Sequence, residues 1–443
     1  LYARNAQRSF MPASNAKLYT TAAALDLYGT EFRFTTTLYA AGPVEGGTLR
    51  GDLVLRGGGD PTLGGAYFSE QDSSDRLAAF RAFADSLRAR GITRIEGAIV
   101  GDDDVYDDVP LGYAWSWDDI PYYYSAEMSG LSFFDNTVDL TIAPGEMGQP
   151  GVLSWEPLNT PYVSFINRTE TREAGFGVRE GYARPMESNT ITLTSRFGRD
   201  TRDPETLTVH NPTRYAAFVL RSVLQAAGIT VTGDAEDLDD RTTKPDYGTA
   251  TRVASWRSAP MARIVEGVNK ESINLWADLL LKHIGTHAAG PRATERMPMG
   301  SHERGLAVAK RVWARMGVDT VRTELVDGSG LSRLDLVNPA STVALLRAMH
   351  RHPDAAVREA FRASLPIGGA DGTLRNRFRE GRANRNVRAK TGSLGAVSSL
   401  GGYVTTRSGR VLAFAIMVNH YTTSSSTARA VQDDAVEVLA GLQ

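Results

Sequence analysis

Residues 12–25 read PASNAKLYTTAAAL. A proline followed by small residues suits a helix start, because proline pre-sets a helical φ and lacks an N–H that the first turn would leave unpaired. From Ser14 to Tyr28 the pattern is apolar on most sides (Leu18, Ala22, Ala23, Ala24, Leu25, Leu27) and stops near Gly29, which predicts a buried helix. Ser14 and Lys17 fall three apart on it, so their side chains share a face and come within hydrogen-bonding range. A serine hydroxyl attacks only if its proton is removed, and a desolvated lysine, or one crowded by another cation, is neutral enough to take it. The helix start also favours developing negative charge. Alone, the Ser-x-x-Lys spacing is weak, since it equally describes a surface pair.

Two further motifs follow in order. Ser272-Ile273-Asn274 lies inside a predicted helix over 261–284, where its polar pair interrupts the apolar face of Ile264, Val268, Leu275, Leu279 and Leu280; on its own it would also fit a satisfied core hydrogen bond. Lys390-Thr391-Gly392-Ser393 precedes two predicted strands, 398–405 and 411–419. A lysine and a threonine on an edge strand can hold a carboxylate, while the glycine admits a substrate backbone closely. Together the three motifs supply a hydroxyl nucleophile, an amine base, a polar relay and a cationic edge, the parts of a serine acyl-transfer site.

The chain has 443 residues, enough for two or three domains. Lys plus Arg number 49 against 51 Asp plus Glu, a net charge of -2, which gives no sign of a nucleic-acid or membrane-surface partner. The absence of cysteine excludes thiol nucleophiles, disulfides and Cys-based metal sites. No apolar run reaches the roughly 20 residues of a membrane helix. The sequence opens without Met and without a signal-peptide apolar region, as expected of a mature or trimmed product.

Strands are predicted at 32–41, 48–55 and 95–100, and an amphipathic helix at 73–90 with Leu77, Phe80, Phe83 and Leu87 inward. Residues 102–136 turn acidic and then aromatic, as an ordered functional loop region would; 137–250 are rich in strands, and 260 onward is helical again before the final strands. Ser272 follows Ser14 by 258 positions, with a β-rich stretch between. The economical arrangement is one discontinuous α/β domain built from both chain ends, with smaller domains inserted.

The three motifs occur in penicillin-binding proteins and class A β-lactamases. More narrowly, the text at 12–25, at 51–63 (GDLVLRGGGDPTL), at 327–333 (DGSGLSR) and at 390–394 (KTGSL) resembles the D-alanyl-D-alanine carboxypeptidase/endopeptidase family, the class C low-molecular-mass penicillin-binding proteins. The resemblance implies an α/β multi-domain fold, a discontinuous penicillin-binding (transpeptidase/β-lactamase-like) domain carrying two inserted smaller domains, one β-rich. The expected division is 1–36 and 251–443 for the penicillin-binding domain, 37–60 and 138–250 for the β-rich insertion, and 61–137 for a second, α/β insertion.

The family further implies Ser14 as the nucleophile acylated by the penultimate D-alanine and Lys17 as its base. Ser272 would relay a proton to the leaving D-alanine, and Asn274 would contact the substrate amide. Lys390 and Thr391 would bind the terminal carboxylate, and the Ser14 and Ser393 backbone N–H groups would form the oxyanion hole. Gly392 and Leu331 would line the substrate. Relatives that bind a meso-diaminopimelate side chain use residues matching Asp119, Tyr124 and Arg333, whose charges suit a zwitterion. Implied partners are peptidoglycan stem peptides and β-lactams, with no nucleic acid, and the implied location is the periplasm or cell exterior.

A serine β-lactamase would share the motifs but needs an extra deacylation base and less chain between the first two. A catalytically silent cell-wall binder or β-lactam sensor would have no need of all four of Ser14, Lys17, Ser272 and Lys390. No metal or other cofactor is expected: His283 and His287 lie four apart without a Glu following His283, the acids at 102–108 lack EF-hand spacing, and Gly57-Gly58-Gly59-Asp60-Pro61 reads as a turn.

Overall fold

The computed structural model describes residues 2–65 and 75–443. They fall into two units, one of Leu1–Arg33, Gly112–Trp115 and Ala259–Gln443, the other of Phe34–Leu111 and Ser116–Ser258.

In the first unit a 3₁₀ turn, Ala13–Asn15, runs straight into the helix Ala16–Tyr28. Every residue from Ala16 to Leu25 is buried, so the helix has no solvent face, as its all-round apolar sequence requires. Helices Met261–Lys270, Asn274–Ile284 and His302–Arg315 pack around it. Trp313 meets the Tyr19 ring edge-on at 5.4 Å, and its Nε1 donates to the Tyr19 carbonyl at 3.0 Å. The helix ends at Gly29, whose φ of +70° only glycine adopts freely and whose N–H closes on the Leu25 carbonyl.

The predicted single helix over 261–284 is in fact two, Met261–Lys270 and Asn274–Ile284. Ser272 stands at the break with φ +63°, the left-handed region, where a helix cannot continue. The apolar periodicity runs on through the break, which is why the sequence pattern hides it.

Strands Arg388–Leu394, Val397–Thr405 and Val411–Asn419 form an antiparallel sheet in that order, with Lys390 opposite Gly401. The first is an edge strand, as expected. The middle strand is buried at every position but its last. Helices Ser425–Gly441 and Pro339–His350 lie against it. The Ser/Thr run at 422–427 leads into that final helix, with Ser424 as its N-cap, the hydroxyl accepting from Thr427 N–H.

The second unit is built on a five-stranded sheet in the order Ala235–Asp237, Ile99–Asp102, Asp52–Arg56, Thr35–Ala41, Thr251–Arg257. The first three strands are mutually parallel and the remaining pairings antiparallel. The predicted strand 95–100 is interrupted: a Cβ on Gly97 would lie 2.4 Å from the Gly51 carbonyl oxygen, so the chain turns there where only glycine fits. Helices Ala78–Ala89 and Pro212–Ala226 pack with Phe80, Phe83, Phe133 and Leu220 in a common core. The predicted helix start at Ser73 lies outside the described residues. Among the described residues no helix is long and apolar enough to cross a membrane.

Candidate active site

Ser14 occupies the middle of the 3₁₀ turn, half-buried, one residue after Ala13, whose φ of +46° is imposed by its surroundings. Gly330 packs directly against Ala13: a Cβ on Gly330 would come within 1.9 Å of the Ala13 carbonyl oxygen. The turn thus presents the Ser14 hydroxyl from a fixed backbone rather than from a fraying helix end.

Lys17 is completely buried. Its Nζ lies 2.9 Å from Ser14 Oγ, 2.6 Å from Asn274 Oδ1 and 2.7 Å from the Ser329 carbonyl. Burial pushes the amine down to about 8, against the opposing pull of Asp278, Asp327 and Asp335. Near neutral pH about a tenth of Lys17 is therefore free base, several hundred times the share of an ordinary lysine, which is the condition for removing a serine proton.

Lys390 is also completely buried. Its Nζ donates to Ser272 Oγ at 2.8 Å and to the Thr391 carbonyl at 3.0 Å. Burial, and then the positive charge of Lys17, hold it well below the usual lysine range, with Glu271 opposing. The sequence-predicted residues Ser14, Lys17, Ser272, Asn274 and Lys390 are thus brought into one connected group. The break at Ser272 makes this possible, since it turns the hydroxyl to Lys390 while Asn274, opening the next helix, faces Lys17.

The edge strand is locked to the turn in two ways. Asn15 Nδ2 donates to the Lys390 carbonyl at 3.0 Å, and a Cβ on Gly392 would lie 2.2 Å from Ser399 Oγ, 2.6 Å from the Pro12 carbonyl oxygen and 3.0 Å from the Ser14 nitrogen. Thr391 is half-exposed beside it, its Oγ1 donating to Thr373 Oγ1 at 2.8 Å. Ser393 is exposed where the strand leaves this contact. A depression of about 580 Å³ opens beyond it, lined by Ser393, Leu394, Tyr421, Thr422 and Arg429 among others.

The DGSGLSR segment forms the floor. Asp327 Oδ1 accepts from the N–H groups of Ser329 (3.1 Å) and Gly330 (2.6 Å), and Oδ2 from Ser332 N–H (2.7 Å) and Trp115 Nε1 (2.9 Å). Four donors on one buried carboxylate fix the loop that receives Lys17. Leu331 is half-buried on that loop, and Arg333 is exposed, donating to the Gly395 carbonyl at 3.2 Å. Asp119 and Tyr124 belong to the second unit, where Tyr124 OH donates to Asp119 Oδ1 at 2.8 Å. Asn15, Asp278 and Asp327 were not singled out from the sequence, although Asn15 and Asp327 lay within quoted stretches.

His283 packs against the rings of Tyr28 (5.0 Å) and Phe32 (5.2 Å), and burial pushes its imidazole down to about 4. His287 meets Tyr28 edge-on at 5.6 Å, so both histidines serve aromatic packing. In the second unit, carboxylate oxygens of Asp103, Asp237 and Asp239 lie within 4.8 Å of one another; Asp103 Oδ2 is engaged by Ser129 and Thr213.

Residues 1–442 match the model of the family described as D-Ala-D-Ala carboxypeptidase 3 (S13). The D-alanyl-D-alanine carboxypeptidase of Actinomadura sp. (strain R39) is 34% identical over 446 residues, covering 98% of this chain and 77% of its own length. The D-alanyl-D-alanine carboxypeptidase DacB of Haemophilus influenzae is 27% identical over 438 residues, covering 96% of this chain and 84% of its own. Among solved structures, penicillin binding protein 4 (dacB) from Haemophilus influenzae superposes with a TM-score of 0.83 at 24% identity, over 100% of this chain and 94% of that one. The fold is thus the mixed α/β penicillin-binding fold with inserted domains anticipated from the motifs.

Proposed function

Because the chain belongs to the D-Ala-D-Ala carboxypeptidase 3 (S13) family, we propose that it cleaves the terminal D-alanyl-D-alanine bond of peptidoglycan stem peptides through an acyl-enzyme on Ser14. The observation that carries this is the single amine, Lys17 Nζ, in contact with both Ser14 Oγ at 2.9 Å and Asn274 Oδ1 at 2.6 Å. Lys17 takes the Ser14 proton as Oγ adds to the penultimate D-alanine carbonyl. The tetrahedral oxyanion faces the Ser14 and Ser393 backbone N–H groups, a contribution of about 3 kcal/mol in comparable sites. Collapse breaks the C–N bond, and the leaving amine takes the proton that Lys17 received, relayed through Ser272, which returns Lys17 to its free base. Water then hydrolyses the ester, with Lys17 again as base.

Lys390 and Thr391 hold the terminal carboxylate, Asn274 the substrate amide, and Gly392 and Leu331 flank the chain. Asp119, Tyr124 and Arg333 receive the ammonium and carboxylate of a diaminopimelate side chain. β-Lactams acylate Ser14 as mimics of the dipeptide; the relative of known structure from Haemophilus influenzae has been solved in complex with a β-lactam. The same acyl-enzyme serves endopeptidase cleavage when the leaving group is a cross-linked peptide. A peptidoglycan substrate places the protein in the periplasm or outside the cell.

Intact mass and peptide mapping after penicillin exposure test the assignment, together with D-alanine release from a diaminopimelate pentapeptide. The adduct is expected on Ser14, and both signals vanish in Ser14→Ala. An adduct elsewhere overturns the mechanism. Rapid multiple turnover of penicillin makes the chain a β-lactamase, and no D-alanine release from the parent protein makes it a binder.

A further inference from the structure

Asp278 is a completely buried acid on the Asn274–Ile284 helix, one turn beyond Asn274, and the site described above does not use it. Its Oδ1 accepts the Gly328 N–H at 2.6 Å. The Gly328 carbonyl accepts from Thr20 Oγ1 at 2.8 Å, and the next carbonyl, that of Ser329, receives Lys17 Nζ at 2.7 Å. The acid and the amine therefore grip the two ends of one short backbone segment, Gly328–Ser329, and each acts on the other electrostatically.

We propose that Asp278 is a positioning residue for Lys17: by holding the Gly328 N–H it fixes the backbone segment whose next carbonyl, that of Ser329, receives the amine, and it shares one ionisable proton with that amine, so that its charge sets how much of Lys17 is free base. This rests on the proposal that Lys17 is the base for Ser14.

The groups facing the pair come from every element around it. Asp327 and Asp335 come from the loop and its continuation, His302 Nε2 sits 3.6 Å from Asp278 Oδ1 on the His302–Arg315 helix, Lys282 lies on the Asp278 helix, and Lys390 stands on the edge strand. His302 is pushed down to about 3 by burial and then by Lys282, so it is neutral and adds no charge. Asp335 is held well above the carboxylate range by burial and by Asp327, and its pull on Lys17 is the smallest of the three acids. Asp278 itself is pushed up to about 8 by burial and by Asp327, into the range of Lys17.

When the pair loses its first proton, two forms compete. A neutral amine beside a neutral acid can deprotonate Ser14; an ammonium beside a carboxylate cannot. Asparagine at 278 still accepts the Gly328 N–H but cannot ionise, so only the active form remains. The loss of the negative charge removes support for the ammonium, and the acidic limb of the acylation profile moves to lower pH. A merely structural role would depress the rate at every pH and leave the limb in place.

The experiment measures the second-order rate constant of acylation by a fluorescent penicillin from about pH 5.5 to about pH 9.5 for the parent chain, Asp278→Asn and Asp335→Asn. The limb of Asp278→Asn is expected at least about half a pH unit below the parent, and that of Asp335→Asn, which replaces the acid with the smallest pull on Lys17 and one bound to the Val326 N–H instead, within about 0.2 unit of it. A limb unmoved in Asp278→Asn, or moved equally in both variants, overturns the inference. A parent chain not acylated on Ser14 removes the reading of the site and the inference with it; a parent acylated on Ser14 with an unmoved limb removes the inference alone. The chain has six lysines, so ¹³Cε-lysine labelling of the parent resolves Lys17, assigned by its loss in Lys17→Arg. Two titration steps at Lys17 are expected, and a single step overturns the proposal even if Asp278→Asn fails to fold.

Discussion

Lys390 Nζ donates to Ser272 Oγ at 2.8 Å across 118 residues of sequence, and the accepting serine is held at φ +63°. The hydroxyl and the backbone of Ser272 therefore act on stability in opposite directions. Ser272→Ala leaves the buried Lys390 Nζ short of an acceptor and keeps the strained backbone. Ser272→Gly loses the same acceptor but relieves a left-handed conformation worth about 1–2 kcal/mol. The glycine variant should be more stable than the alanine variant by roughly 1 kcal/mol in denaturant unfolding, while both lose D-alanine release to the same extent.

Lys17→Ala removes the only side-chain amine within hydrogen-bonding distance of Ser14 Oγ among the described residues. The acylation rate should fall by roughly 10²- to 10⁴-fold, the range of a lost general base. Stopped-flow acylation by a chromogenic β-lactam measures it.

The amine of Lys17 sits at about 8. Only its neutral form accepts the Ser14 proton, so the acylation rate should rise with pH, tenfold per unit well below that value, and level off above it. A rate independent of pH from 6 to 9, roughly the span across the Lys17 transition, contradicts the assignment of the base.

A Cβ at residue 392 would lie 2.2 Å from Ser399 Oγ and 2.6 Å from the Pro12 carbonyl oxygen. The first neighbour can rotate away; the second is backbone of the turn that carries Ser14. Gly392→Ala should destabilise the first unit by about 1–3 kcal/mol and slow acylation by at least about tenfold through the displaced turn. Calorimetry and the same acylation assay read the two effects.

Arg333 is exposed and bound only to the Gly395 carbonyl among its described hydrogen bonds. If it pairs with a substrate carboxylate, Arg333→Ala should lower kcat/KM roughly tenfold or more for a diaminopimelate peptide, as expected for a lost charge-assisted hydrogen bond. Its effect on a lysine-type peptide lacking that carboxylate should be small. Paired steady-state assays on the two peptides give the comparison.

Much of this site was legible because its parts carry local signals. The helix Ala16–Tyr28 shows in an unbroken apolar run, and the strand Val411–Asn419 was anticipated to the residue. What stayed hidden depends on contacts remote in sequence. The break at Ser272 has no glycine or proline to mark it; it is held by Lys390 from another strand. Asp278, set among leucines, gave no sign that a loop N–H fifty positions away would receive it. In the second unit, Thr251–Arg257 finds its partner at Thr35–Ala41, and no local pattern announces a pairing over that separation.

Asn15 binds the backbone of Lys390 across 375 residues. Synthesis delivers the hydroxyl of Ser14 early and its clamp late. During translation the serine waits as an ordinary alcohol beside an unshielded, protonated lysine. Chemical competence then waits on the edge strand: a fragment ending before Arg388 should be blind to penicillin, and labelling by the drug reports only molecules extended past that strand.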